Sequence, residues 1–440
     1  MNVRVIMTVG ALVVFSGTAA QGQAPAPPDP RLATRFVDPI AGLSLSDAIT
    51  RALAQEPAMV AVRQQTDIAR GERLQAGLRP NPTIGFEQRT EPQGTDSVST
   101  VMVDWPLDLF RRSARTAVAD ARITATTFGV ADRERLLAGE VRERYGDVLV
   151  AVRDLEVLDA VIQAVTRQRD VLGARVDAGR APPLERDRVQ VEVQQLEGER
   201  LLQLGQVEAA FVALKRVLGM PAAAPLTVRD SLEALVLTEP PTGIRDPEGA
   251  AERADVREAE AQLAVADAAI EQANREGRLD MSLYGTYMRM DAGFPQMGFG
   301  ASGGLERVRG VFHYAAGGVR LSLPLMNRNQ GTVAKAQAER TAAQASLEAA
   351  RLSADAELAA ARAIYARARS AVAVYRDGLQ ALARQNVSTV QQTYDLGRLT
   401  LLDVLSEQRR YLEVERAYTL AMRAAFEART AMLVAQGAVR

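Results

Sequence analysis

Cysteine is absent from the 440 residues, which excludes disulfides, thiolate metal sites, cysteine nucleophiles and a lipidated N-terminal cysteine. Long hydrophobic runs are missing too. Beyond the first residues nothing reaches the ~20 apolar residues of a transmembrane helix. Neither sign of charge is in excess: 53 basic and 54 acidic residues leave a net of -1, which removes the basis for general nucleic-acid binding. Histidine occurs once, and His313 alone cannot assemble a metal site, which needs several converging ligands; it reads as a loop or lumen residue. No nucleophile and base are grouped anywhere, so neither an enzyme nor a cofactor is expected.

What is abundant is Ala, Leu, Val, Glu, Gln and Arg, a mixture suited to long helices. The N-terminus reads as an export signal: Arg4, an apolar run from Val5 to Phe15, then small residues to Ala20. Residues 1–20 (or 1–24) are therefore assigned to a signal peptide and 21–42 to an extended, proline-containing leader.

The rest is a duplicated unit. Pro106 and Pro324, Gly179 and Gly397, and Gly219 and Gly437 are separated by one common offset. The first repeat is placed at 43–219, with strands over about 82–107 and a helical hairpin turning near 179. A proline-containing equatorial connector follows at 220–246. The second repeat occupies 247–440, with strands over about 279–323 and a tip near 397. Ile84 and Phe86, then Val101, Val103 and Trp105, alternate with polar or small neighbours, as do Met281 and Leu283, then Val319, Leu321 and Leu323. That period suits a half-buried strand or a membrane strand facing lipid on one side. From about Ser113 to Ala178 no proline interrupts a helix that would reach roughly 100 Å at ~1.5 Å per residue. Val141, Tyr145, Val148, Val152 and Leu155 step by four and three along it, the spacing of a coiled coil.

Two strand pairs cannot close a barrel, and open edges cannot face lipid, so copies of the chain must share one sheet. Three copies give a lumen. A soluble periplasmic coiled-coil scaffold or adaptor is the competing reading; it explains the hairpins and leaves the duplicated strand pairs unused.

The opening helix LSLSDAITRALAQEP, the passages WPLDLFRRSAR and LSLPLMNRNQG, and the tips DAGRAPPLERD and YDLGRLTLLDVL occur in an order that resembles the TolC-type outer-membrane factor family. The resemblance implies a mainly α chain with a membrane β-barrel contribution, trimerised into a 12-stranded barrel (about twelve strands) above a periplasmic α-helical tunnel. It implies an outer-membrane exit duct in a tripartite efflux or secretion system. The implied partners are sister chains, a periplasmic adaptor, an inner-membrane pump of the RND type and outer-membrane lipid, without nucleic acid. It places Asp403 at the periplasmic constriction, with Glu185 at the matching position of the first repeat, and Tyr394, Asp395 and Arg398 in contacts that hold the mouth closed. The family's second constriction carboxylate is replaced by Ser406. Gly179, Arg180, Gly397 and Arg398 fall at the adaptor-contacting tips, and Trp105 suits an interfacial aromatic position. The glycine-rich segment Gly293–Gly310, without the lysine of a phosphate loop, reads as a mobile extracellular loop.

Overall fold

The computed structural model describes residues 35–92, 94–238 and 252–438. The signal assignment and residues 239–246 of the connector lie outside them.

The first repeat opens with two helices. Ser44 caps α1 (Leu45–Gln55) by accepting from the Asp47 amide at 3.2 Å. Pro57 starts α2 (Pro57–Gly77) where its missing N–H costs nothing. The chain then forms β1 (Thr83–Thr90) and β2 (Ser97–Pro106) before entering α3, 66 residues from Arg112 to Asp177. At that entry Asp108 adopts a positive φ of 48°. Its carboxylate binds Arg115 at 2.7 Å, and Arg112 donates to the Gly77 carbonyl at 2.6 Å. Two arginines of α3 thereby complete the frayed end of α2.

The return helix α4 (Pro183–Val217) is about half as long as α3, because it pairs only with the tip-ward part. The sheet-ward part packs on α2 and on α6 (Ala254–Glu276) instead. Gly219 makes this stacking possible. A Cβ there would lie 2.8 Å from the Gln55 carbonyl oxygen, so the end of α4 abuts the α1–α2 junction.

The second repeat follows with α5 (Leu232–Leu237) before it, then α6, β3 (Asp280–Phe299), β4 (Leu305–Ser322) and α7 (Gln330–Val374). One π turn at Tyr375–Leu379 joins α7 to α8 (Gln380–Asp395), and α9 (Leu401–Ala435) returns. All four hairpin helices end the same way. Gly179, Gly219, Gly397 and Gly437 have φ of 71°, 66°, 73° and 82°. At each, the glycine N–H and the next N–H turn back to carbonyls of the last turn, such as Gly179 to Val176 and Arg180 to Arg175.

The core sits at the equator. Tyr145, fully buried, packs among Ile49, Met59, Leu214 and Phe426, and its hydroxyl donates to the Leu43 carbonyl at 2.8 Å. Gly146 admits the Phe426 ring, which a Cβ would meet at 2.5 Å. The connector crosses here. Val228 bridges to Val37 and Leu43, and Asp230 accepts from the Leu45 amide at 2.8 Å and the Tyr145 hydroxyl at 2.9 Å. Burial, then the neighbouring Asp230 charge, pushes the Tyr145 phenol well above its usual range.

The strands form one antiparallel sheet in the order β1-β2-β3-β4, leaving β1 and β4 as open edges. Two expectations need correcting. The glycine-rich segment Gly293–Gly310 is not an extended loop: β3 runs to Phe299 and β4 resumes at Leu305. Cross-strand pairing continues through the glycines, and only a tight turn lies between. His313 lies within β4 and not in a loop. It shares the face of Leu283 and Val319, and its Nδ1 is 2.6 Å from the Tyr287 hydroxyl. Glycine content signalled a loop, whereas paired strands tolerate glycine wherever a neighbouring ring needs the space, as Tyr284 does over Gly318.

Candidate pore constriction

Two surfaces have the chemistry of a conduit: the helical tips and the two faces of the sheet. At the tips the hairpins are tied to each other by polar contacts. Tyr394 on α8 donates to Glu185 on α4 at 3.2 Å. Arg175, in the last turn of α3, binds Asp395 at 3.1 Å and lies 6.0 Å over the Tyr394 ring. Burial, then the Glu185 charge, raises the Tyr394 phenol above its ordinary value. Farther from the tip, Gln408 donates to Gln168 at 2.9 Å, Arg409 forks onto Glu192, and Arg416 reaches Glu199 at 2.6 Å.

Glu185, Tyr394 and Asp395 are thus brought together. Arg175 is the member that sequence reasoning missed. Its signal was a basic residue in the last turn of α3, where the helix dipole favours a cation.

Asp403 and Arg398 stand apart from this cluster. Thr400 caps α9, and Asp403 closes a capping box, its Oδ2 accepting from the Thr400 amide at 2.8 Å and hydroxyl at 2.6 Å. These bonds hold its carboxyl below the usual 3.8, so it is ionised at neutral pH while remaining exposed. Ser406 donates at 2.9 Å to the Asp403 carbonyl and supplies no charge. Arg180 and Arg398 are exposed next to the tip glycines.

The register of the sheet separates two faces. Ile84 and Phe86 on β1, Val101, Val103 and Trp105 on β2, Leu283 and Tyr287 on β3, and Val319 and Leu321 on β4 share one face. These side chains are exposed, Ile84 at 76 % and Phe86 at 70 %. Trp105 ends this apolar face on the helical side, paired with Leu283. The opposite face carries Glu87, Thr100, Asp104, Ser282, Thr286 and Arg320. Arg320 pairs with Asp104, which also accepts from Ser282 at 3.2 Å, and its guanidinium lies 5.4 Å over the Tyr284 ring. An apolar face toward lipid and a polar one toward water is the arrangement of a membrane barrel strand. Among the described residues no helix is long and apolar enough to cross a membrane, and no group of three or more His, Cys, Asp or Glu residues is placed to hold a metal.

Comparison with known proteins agrees with this geometry. Residues 48–220 match the family described as outer membrane efflux protein. The cobalt-zinc-cadmium resistance protein CzcC of Cupriavidus metallidurans is 23 % identical over 394 residues, 88 % of either chain. The fold matches crystal structures of CusC, whose study concerns transmembrane channel formation, with a TM-score of 0.73 at 17 % identity over 90 % of this chain and 93 % of that one. A membrane protein from Pseudomonas aeruginosa gives a TM-score of 0.72 at 20 % identity, covering 96 % of this chain and 99 % of the other. By its sequence match over residues 48–220 and its fold, the chain is similar to the outer membrane efflux protein family and shares the fold of solved outer-membrane channels.

Proposed function

We propose that three copies of the chain close into the exit duct of a tripartite efflux system, receiving cargo from an inner-membrane pump of the RND type through a periplasmic adaptor. The observation that carries this reading is the sheet. Its four strands leave two open edges beside an exposed apolar face. In hydrocarbon those edge N–H and C=O groups must find partners, and only sister sheets supply them. Two copies would give about eight strands and a barrel filled by its own side chains, while three give about twelve and a lumen. A soluble scaffold leaves the apolar face without a purpose.

At the other end the tips ring the tunnel mouth and meet the adaptor through Gly179, Arg180, Gly397 and Arg398. Three Asp403 carboxylates, with Glu185 behind them, favour cations at the constriction. The Tyr394–Glu185 and Arg175–Asp395 contacts hold the two hairpins of each copy in the closed arrangement, with Arg398 at the rim. Trp105 sits at the periplasmic membrane interface. Divalent metal ions, the class named for the CzcC relative, are the cargo to test first.

Light scattering of detergent-purified protein should give a trimer that conducts in planar bilayers. A monomer recovered from a periplasmic extract would overturn the reading. Deleting the gene should sensitise cells to cobalt, zinc and cadmium, and unchanged tolerance would redirect the cargo assignment. Asp403→Asn should weaken block by divalent cations, and an unaltered block would remove Asp403 from the constriction.

A further inference from the structure

The β3–β4 hairpin outruns the rest of the sheet. The last pair between β2 and β3 is Ser97 with Asp291, yet β3 continues to Phe299 and β4 begins at Leu305. Above the level of Tyr287 apolar residues appear on the face that was polar below. The side that was apolar below becomes mixed, with Arg289, Asp291, Arg307, Arg309 and His313 beside Val311, Met297, Phe299 and Leu305. Met288, Met290, Phe294, Val308, Phe312 and Tyr314 stand on the side that carried Asp104, Ser282 and Arg320. The Phe294 and Phe312 rings meet edge to face at 5.3 Å, and Phe312 lies over Gly310.

This ribbon is tied at its base. The Asp96 carboxylate accepts from the Gly293 amide at 3.0 Å, and Arg309 binds Asp291 at 3.1 Å and the Thr95 carbonyl. Directly above, the register shifts between Gly293 and Met297, a bulge that bends a strand pair.

A two-stranded ribbon with an apolar face is not stable in water without cover. The side in question continues the polar inner face of the barrel, so lipid cannot reach it. Within a closed ring of copies, the apolar surfaces on that side are the same faces of the sister hairpins. We infer that the three β3–β4 ribbons lean together and form an apolar collar over the extracellular mouth, built from Met290, Phe294, Val308, Phe312 and Tyr314. The collar rests on the trimeric reading above. A narrow apolar ring dewets and stops ions, giving the duct a second closure at the end opposite the tips.

The absence of native cysteine makes the test direct. Phe312→Cys and Val308→Cys should each give covalent dimers on mild oxidation of the purified particle. Oxidation should lower conductance and reduction restore it, while the outward Arg307→Cys should stay uncross-linked. The paired change Phe294→Ser and Phe312→Ser should raise single-channel conductance several-fold. A particle that is trimeric by light scattering but shows no cross-link at either inner position, equal cross-linking at Arg307→Cys, or unchanged conductance in the serine variant would each remove the collar and leave the trimer standing. A monomeric particle would remove both.

Discussion

The two hairpins share one architecture, with the same left-handed glycine at each tip, but their helices are buried very differently. Helix α3 is central: it packs on α2, α4, α6 and α9, and its side chains from Leu137 to Leu155 form the equatorial core. Helix α7 is peripheral, packing on α6 and α9, and half of its buried positions are alanine. Its larger apolar residues Leu352, Ile364 and Val374 are exposed at 71 %, 59 % and 62 %. On α4, Leu184 and Val191 are exposed as well, in a seven-residue step that continues through Gly198, Gly205 and Val212. Helix α3, together with part of α9, thus supplies much of the chain's own core, while α7 and one face of α4 leave apolar side chains uncovered. Duplication preserved the backbone and let burial diverge.

Substitution at matched depth tests this division. Tyr145→Ala should cost about 3–5 kcal/mol in thermal or denaturant unfolding, as for other large core deletions. Ile364→Ala should cost under about 0.5 kcal/mol in the dissociated chain, yet lower the resistance of the oligomer to SDS. Equal losses in the dissociated chain would erase the distinction. A smaller contrast lies in two helical glycines. Gly146→Val would drive methyl groups into the Phe426 ring and should destabilise by about 1–3 kcal/mol. Gly198, with nothing within 4 Å, should accept alanine and gain up to about 1 kcal/mol in the single chain. If Gly198→Ala also lowers trimer yield, that face is a close contact between copies.

The tips sharpen the comparison further. Tyr394→Phe removes one hydrogen bond between hairpins, worth about 1 kcal/mol, so bilayer recordings should show roughly a fivefold rise in the open-to-closed ratio. The smallest effect concerns the two helix starts. Helix α4 begins at Pro182 without a side-chain cap, whereas α9 has the Thr400–Asp403 box. Because the folded Asp403 carboxyl titrates below 3.8, its support for α9 is complete above that pH and is lost as pH falls through the depressed value. Amide exchange in the first turn of α9 should accelerate in that acidic window, with no matching change in α4.

Periodicity and turn chemistry were readable without coordinates. The limits of α2, the tip glycines and the capping box follow from local rules that one stretch of chain satisfies alone. What escaped depends on distant groups. The π turn at Tyr375–Leu379 lies beside Glu415, which is 2 % exposed and takes Gln380 at 3.0 Å, Arg384 at 3.4 Å and Arg153 at 3.7 Å. Nothing in the α7–α8 sequence announces those partners. The same holds for Arg175 at the tip, and for Asp230, whose donors come from α1 and α3. Asp395 looks like any acidic residue near a turn; only the fold shows it meeting Arg175.

Within the described strands Ala292 alone is buried. The sheet therefore has no interior of its own in a solitary molecule, whereas the helical half does. On the proposed trimeric reading, a copy orders its helices in water while its strands await sister sheets, so sealing of the barrel depends on the concentration of the chain.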